Sequence, residues 1–150
     1  MPEQIVTLAT AAAALSRHLG VSGAADVSAV VAEPGAYLLL LELSGPIRPA
    51  IAAFSGTELP PGPYVYAGSA RGPGGLKSRL ARHLRRQKKR HWHIDHLTGE
   101  ASAMLAFAVP GGNECALVRS LLESGRYHQP LPGFGSSDCR TCTSHLLAPN

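Results

Sequence analysis

Residues 36–43 read AYLLLLEL, seven apolar side chains and one charge, with Pro34 just before and Ser44, Gly45 and Pro46 just after. Eight residues are too few for a core helix, and a continuous apolar run of this length between turn signals is a buried strand. The chain supplies candidate partners for it. Residues 47–54 (IRPAIAAF) form a weaker second strand, which Pro49 confines to an edge or a bend. Residues 58–63 (ELPPGP) make a turn, and residues 64–70 (YVYAGSA) a third strand rich in β-formers, so that strand, turn and strand suggest an antiparallel hairpin.

A Gly/Pro loop over residues 71–75 leads into a predicted helix over residues 76–89, where Leu76, Leu80 and Leu84 form an apolar stripe at spacing four. Residues 93–97 read as a short helix or turn. Residues 103–109 (AMLAFAV) read as a strand, and Asn113 can cap a helix from Glu114 to about residue 124. The Pro- and Gly-rich tail is mostly loop, with a last strand over residues 143–147. The order β-β-β-α-β-α-β predicts a small α/β (α+β) fold, a mostly antiparallel central sheet flanked by helices. Residues 1–33 are rich in Ala, Val and Ser and read as an N-terminal extension or docking helix. Within it, residues 1–19 place Ile5, Leu8, Ala12, Leu15 and Leu19 on one side, and Gly20 ends the helix. The compact domain is expected over residues 34–150.

With 150 residues the chain has the length of one ordinary domain. No run of about 18 apolar residues suggests a membrane span. Glu3 precedes the apolar stretch at residues 5–15, where a secretory leader would carry positive charge, so a cytoplasmic protein without a membrane partner is expected. Three cysteines, two of them three residues apart, do not suggest a disulfide framework.

The charge is distributed unevenly. Of 14 Lys and Arg residues, eight fall between residues 77 and 90: Lys77, Arg79, Arg82, Arg85, Arg86, Lys88, Lys89 and Arg90. No Asp or Glu occurs between Glu58 and Asp95. Such a block is the footprint of a polyanion partner, against the plainer reading of a solvated helix face.

Phosphodiester cleavage needs a cation to meet the charge that develops on the phosphate, a group to activate water, and a metal ligand. Tyr37, Tyr66, Arg79, His83 and Glu114 supply candidates for each role. Arg79 and His83 stand four apart and share a helix face. Glu114, in the first turn of a later helix, offers the hard oxygen that Mg²⁺ or Mn²⁺ takes. With a reference pKa of about 10, a tyrosine is a base only beside a metal, an Arg or a group such as His83. Tyr37, Tyr66, Arg79 and Glu114 must therefore converge on one surface.

Three segments together carry a family resemblance: Gly35-Ala36-Tyr37, then Tyr66-Ala67-Gly68, then Gly75-Leu76-Lys77-Ser78-Arg79-Leu80-Ala81-Arg82-His83. In this order they resemble the GIY-YIG endonuclease superfamily, in which a G-x-Y strand pairs with a Y-x-G strand, a helix carries an Arg, and a later helix carries a metal-binding Glu. Residues 64–70, 91–97 (HWHIDHL), 114–118 (ECALV) and 135–146 (GSSDCRTCTSHL) resemble its stand-alone Uri-type branch more closely. The likeness spans about residues 35–147. It implies that Tyr37 positions or activates the attacking water and that Tyr66 hydrogen-bonds in that network. It further implies that Arg79 stabilises the pentacovalent phosphate, that Glu114 holds one divalent metal, and that His83 stands near the base. Ala36 and Ala67 replace the family's usual Ile, and both should be core. The family's late Asn has no counterpart that the sequence identifies.

The implied function is a metal-dependent endonuclease acting on nucleic acid, with DNA favoured over RNA. The alternative is a non-catalytic nucleic-acid-binding module of the same fold. In both, Lys77, Arg82, Arg85, Arg86, Lys88, Lys89 and Arg90 would hold the phosphate backbone. Tyr64 reads as structural. His91, His93 and His96 read as structural or substrate-contacting rather than as metal ligands. Cys139, Cys142 and His145 leave two readings side by side. One is a structural Zn²⁺ set completed by one of those three histidines, and the other is a pair of reduced buried thiols. Cys115 is expected in the core.

Overall fold

The computed structural model of the chain describes residues 7–136 and 142–150. Helix α1 (Leu8–Leu19) is followed by strands β1 (Gly35–Leu43) and β2 (Gly62–Ala70), then helices α2 (Gly75–Leu84) and α3 (Asp95–Thr98). Strand β3 (Ala103–Pro110), helix α4 (Glu114–Glu123), and strands β4 (Tyr127–His128) and β5 (Leu146–Pro149) complete the order. The strands form one sheet in the order β3-β1-β2-β5-β4, and every neighbouring pair is antiparallel. This is the small α+β architecture expected from the sequence, an antiparallel sheet with helices on it.

The burial of β1 explains its unbroken apolar run. Side chains of a strand alternate between the two faces of its sheet. Tyr37, Leu39, Leu41 and Leu43 pack on one face with Leu76 and Leu80 of α2 and with Ile94 and Leu97. Leu38 and Leu40 pack on the other face with Ala11 and Leu15 of α1 and with Val118 and Leu121 of α4. With both faces covered, no position of β1 other than Glu42 is left for a charge. Ala36 and Ala67 are fully buried, as expected, and Ala67 sits in the α1–α4 layer beside Ala11 and Leu15.

Helix α1 begins at Thr7, whose side chain accepts from the Thr10 amide, and ends at Gly20 in the left-handed conformation. The extension therefore contributes to the core, and Ala24 makes an isolated antiparallel bridge to Ala106 on the outer edge of β3. Its last residues also reach the start of α2. The amides of Leu76 and Lys77 donate to the carbonyls of Glu33 and Val31 at 2.8 and 3.2 Å. Gly75 has φ +55°, and a Cβ there would stand 2.4 Å from the Glu33 carbonyl oxygen, so only glycine lets the helix begin against this backbone.

Three elements differ from the sequence reading. Residues 47–54 do not form a strand of the sheet: Ile47 makes one bridge to Leu59, Pro49 follows, and residues 52–54 turn into a short 3₁₀ helix. Helix α2 stops at Leu84, five residues early. Five of the next six residues are cationic, and the Lys88 ammonium turns back onto the carbonyls of His83 and Arg85, satisfying helix-end acceptors. The last strand lies at Leu146–Pro149 rather than residues 143–147, because Leu146 and Leu147 pair with Tyr66 and Val65 while Ala148 and Pro149 pair with β4. Among the described residues, no helix is long and apolar enough to cross a membrane.

Candidate functional site

The pairing of β1 with β2 builds the site. Tyr37 stands opposite Gly68, and Leu39 stands opposite Tyr66, so the two phenols are diagonal neighbours on the α2 face. Helix α2 crosses this face and brings Arg79 and His83 to them. The first turn of α4 brings Glu114, with Asn113 accepting from the Ala116 amide as its cap. All five residues line one cavity of about 380 Å³, together with Gly68, Ser69, Trp92, Gly135 and His145. The convergence of Tyr37, Tyr66, Arg79 and Glu114 that the sequence requires is present, and His83 joins them.

The Tyr37 hydroxyl and His83 Nε2 are 2.6 Å apart, a short hydrogen bond between two nearly inaccessible side chains. Burial depresses the His83 imidazole to about 3, aided by the charges of Lys88, Arg79 and Arg82 and opposed by Asp95. Burial pushes the Tyr37 phenol well above the ordinary tyrosine range; Tyr66 and Glu114 add to this, and Arg79 opposes it. Tyr66 is raised by burial and by Glu114 in the same way. At neutral pH the phenols and the imidazole are therefore uncharged. With His83 as acceptor, the Tyr37 hydroxyl donates to it and keeps its oxygen lone pairs for another partner.

The buried neutral His83 has a measurable consequence. As pH falls below about 6.5, the unfolded chain takes up the His83 proton and the native chain does not, until pH reaches about 3. Stability should fall on acidification across that window, by up to about 1.4 kcal/mol per pH unit from this group. His83→Asn should flatten that part of the profile in urea unfolding between pH 7 and 4.5. Parallel profiles for the two proteins would show that His83 is not held neutral.

Arg79 stretches over Trp92, its guanidinium carbon 4.4 Å from the ring centroid, and donates to the Ser69 carbonyl at 3.2 Å. Arg82 lies 4.2 Å from the same centroid. It makes a two-pronged pair with the buried carboxylate of Asp95, at 2.9 and 2.8 Å. Burial alone would raise Asp95; the Arg82 pair and the amides of Trp92 and His91 outweigh it and hold the carboxyl at about 2. The charge of Arg82 is thus largely answered within the protein. Arg86 is turned onto the carbonyls of Ala101 and Ser102, Lys88 onto its own helix end, and Arg90 lies 3.8 Å from Glu100. Lys77, Arg85 and Lys89 are exposed. Arg85, Lys88, Lys89 and Arg90 line one open groove with Arg82 and His91. Lys77, Arg79 and Arg82 of the basic block lie on α2 and the other five cations on the irregular segment that follows it, so the block is not one helical face.

The other candidates divide. Tyr64 donates to the Pro60 carbonyl at 2.6 Å and is structural. His93 Nδ1 accepts from the Gly135 amide at 2.9 Å, holding the loop over Tyr66. Cys139 lies outside the described residues. Cys142 and His145 do come together, but their neighbour is Cys115 rather than His91, His93 or His96: the ligand atoms of Cys115, Cys142 and His145 all lie within 4.8 Å of one another. Cys115 is half-buried beside His145, not sunk in the core. Trp92, which backs Arg79, is a cavity residue that the sequence reading does not place in the site; its aromatic ring amid cations is the available signal.

A family model described as a domain of unknown function, DUF123, matches residues 36–150. The chain belongs to the DUF123 family. The matched region starts within β1 and contains every residue that lines the cavity. Comparison of this DUF123 domain with curated proteins and with solved structures finds no match.

Proposed function

We propose that this DUF123 domain is a divalent-metal-dependent endonuclease of GIY-YIG type, hydrolysing phosphodiester bonds in nucleic acid, with DNA the favoured substrate. One observation carries the reading: two phenols, a guanidinium, an imidazole and a carboxylate from four separate elements line a single open cavity beside a basic groove. The order of motifs resembling that superfamily supports it independently.

Glu114 fits the metal role by its chemistry. Mg²⁺ is held by one or two carboxylates and keeps several waters, so one carboxylate in a cavity of this size suffices. Such an ion would supply Lewis acidity and neutralise phosphate charge. The remaining work falls to side chains. Arg79, braced by Trp92 and the Ser69 carbonyl, presents its remaining N–H groups to the non-bridging phosphate oxygens. Tyr37, fixed by His83, uses its oxygen lone pairs to orient the attacking water. Its raised pKa suits it to orienting that water as a neutral phenol and not to standing as a phenolate. Tyr66 completes the wall against which the water is held.

The test uses the purified chain with labelled single- and double-stranded DNA and RNA. Cleavage is followed with Mg²⁺, with Mn²⁺ and with chelator, and binding is measured in parallel. Cleavage with metal and binding without cleavage in chelator are expected. Binding that never leads to a cut under either metal would overturn the enzyme and leave the non-catalytic module.

A further inference from the structure

Next to the hard oxygen of Glu114 stands a group of different character. Cys115 follows Glu114 in the first turn of α4, Cys142 lies on the approach to β5, and His145 immediately precedes β5. Two chain segments, the start of α4 and the residues before β5, thus bring two sulfurs and one imidazole within 4.8 Å of one another, with Cys115 Sγ and His145 Nε2 3.9 Å apart. In tetrahedral zinc, with bonds of about 2.3 Å to sulfur and about 2.0 Å to nitrogen, donor atoms stand roughly 3.5–3.8 Å apart. The Cys115–His145 pair, at 3.9 Å, is close to this, and 4.8 Å bounds the other pairs, so the donors need to close by about 1 Å at most to seat an ion. Thiolate and imidazole donors select zinc over the hard cation suited to Glu114.

We propose that Cys115, Cys142 and His145 are protein ligands of a Zn²⁺ ion, separate from the divalent cation assigned to Glu114. His145 is a firm anchor for it. Its side chain is buried, its amide donates to the Phe134 carbonyl, and its carbonyl accepts from Ala67 of β2, at 2.9 Å each. The ion would tie the start of α4 to that anchor. Because Glu114 and Cys115 are consecutive, the tie also fixes where the Glu114 carboxylate stands in the cavity. The zinc is therefore a positioning element, and its binding does not depend on whether the cavity cleaves nucleic acid.

The test is metal binding alone. The full-length chain, reduced and stripped of metal, is titrated with Co²⁺ and then with Zn²⁺. One equivalent of Co²⁺ should give the intense visible absorption of a tetrahedral site with thiolate-to-metal charge transfer, and Zn²⁺ should displace it. Losing a ligand should cost more than the 10–100-fold typical of an outer partner, so Cys115→Ser and His145→Gln should each weaken Zn²⁺ binding at least about 100-fold. His91→Ala, at an exposed position outside the cluster, should bind Zn²⁺ as the wild type does. Circular dichroism separates loss of a ligand from loss of the fold, and the wild-type Co²⁺ spectrum stands whether or not a variant folds. A wild-type protein that takes up no Co²⁺ with a thiolate signature would overturn the proposal, as would a folded Cys115→Ser protein that binds Zn²⁺ with unchanged affinity.

Discussion

Replacing Arg79 with Ala should slow single-turnover cleavage by about 10³-fold while leaving nucleic-acid binding within a few-fold of wild type. One preorganised donor aimed at developing charge is typically worth 10²–10³ in rate, and a guanidinium on a phosphoryl group reaches the upper end of that range or beyond. Arg79 has both properties: it lines the cavity with Tyr37 and Glu114, and its plane is held by Trp92 and the Ser69 carbonyl. Arg79→Lys should recover little, because an ammonium on a flexible stem cannot reproduce the fork or the stacking. Binding should survive because Lys77, Arg85 and Lys89 remain exposed outside the cavity. Glu114→Gln should lose a comparable factor by a different route, and raising the Mn²⁺ concentration should partly restore it, whereas Arg79→Ala should not respond. If Arg79→Ala cut within tenfold of wild type, the guanidinium would not face the scissile phosphate and the proposed chemistry would fail.

What could be read from the chain depended on how local its cause was. The burial of β1 was written into residues 36–43, because a strand covered on both faces has no polar alternation to hide. The Asn113 cap and the start of α4 were equally plain, since a cap acts over three residues. The end of α2 was not. Periodicity carried the helix on to Lys89, but the Lys88 ammonium folds back onto the helix end and Arg86 reaches Ala101 and Ser102. The pairing of Arg82 with Asp95, thirteen residues on, was equally out of reach of local periodicity. Strand β4 has two residues and exists through its pairing with β5, so no local pattern could announce it. Spacing suggested the partners of Cys142 should be sought along the chain, at Cys139 and among His91, His93 and His96. Cys115 comes from a helix 27 residues earlier, and only the folded sheet brings the two together.

Gly68→Ala should disable the site without replacing any group that does chemistry. Gly68 faces Tyr37 across the β1–β2 ladder, and a Cβ there would stand 2.2 Å from the Tyr37 hydroxyl oxygen and 2.3 Å from Cζ. Gly68 is not among the glycines with positive φ, so the backbone accepts alanine and the effect is steric alone. The ring has nowhere cheap to move: it is 2% exposed and held by His83 at 2.6 Å. Overpacking of this kind costs about 1–3 kcal/mol. A ring displaced by an ångström also takes its hydroxyl off the water, and a misplacement of that size costs about 10²-fold in rate. Cleavage should therefore fall at least about 100-fold in a protein that still binds nucleic acid. Gly45→Ala, where a Cβ meets nothing within 4 Å and φ is not positive, should change stability by no more than about 0.5 kcal/mol. The cause can be isolated in a double-mutant cycle. In a Tyr37→Leu background the clash is gone, so Gly68→Ala should cost at least about 1 kcal/mol less in urea unfolding than it does in the wild type. Equal costs in the two backgrounds would mean that Gly68 is not kept small to make room for the phenol.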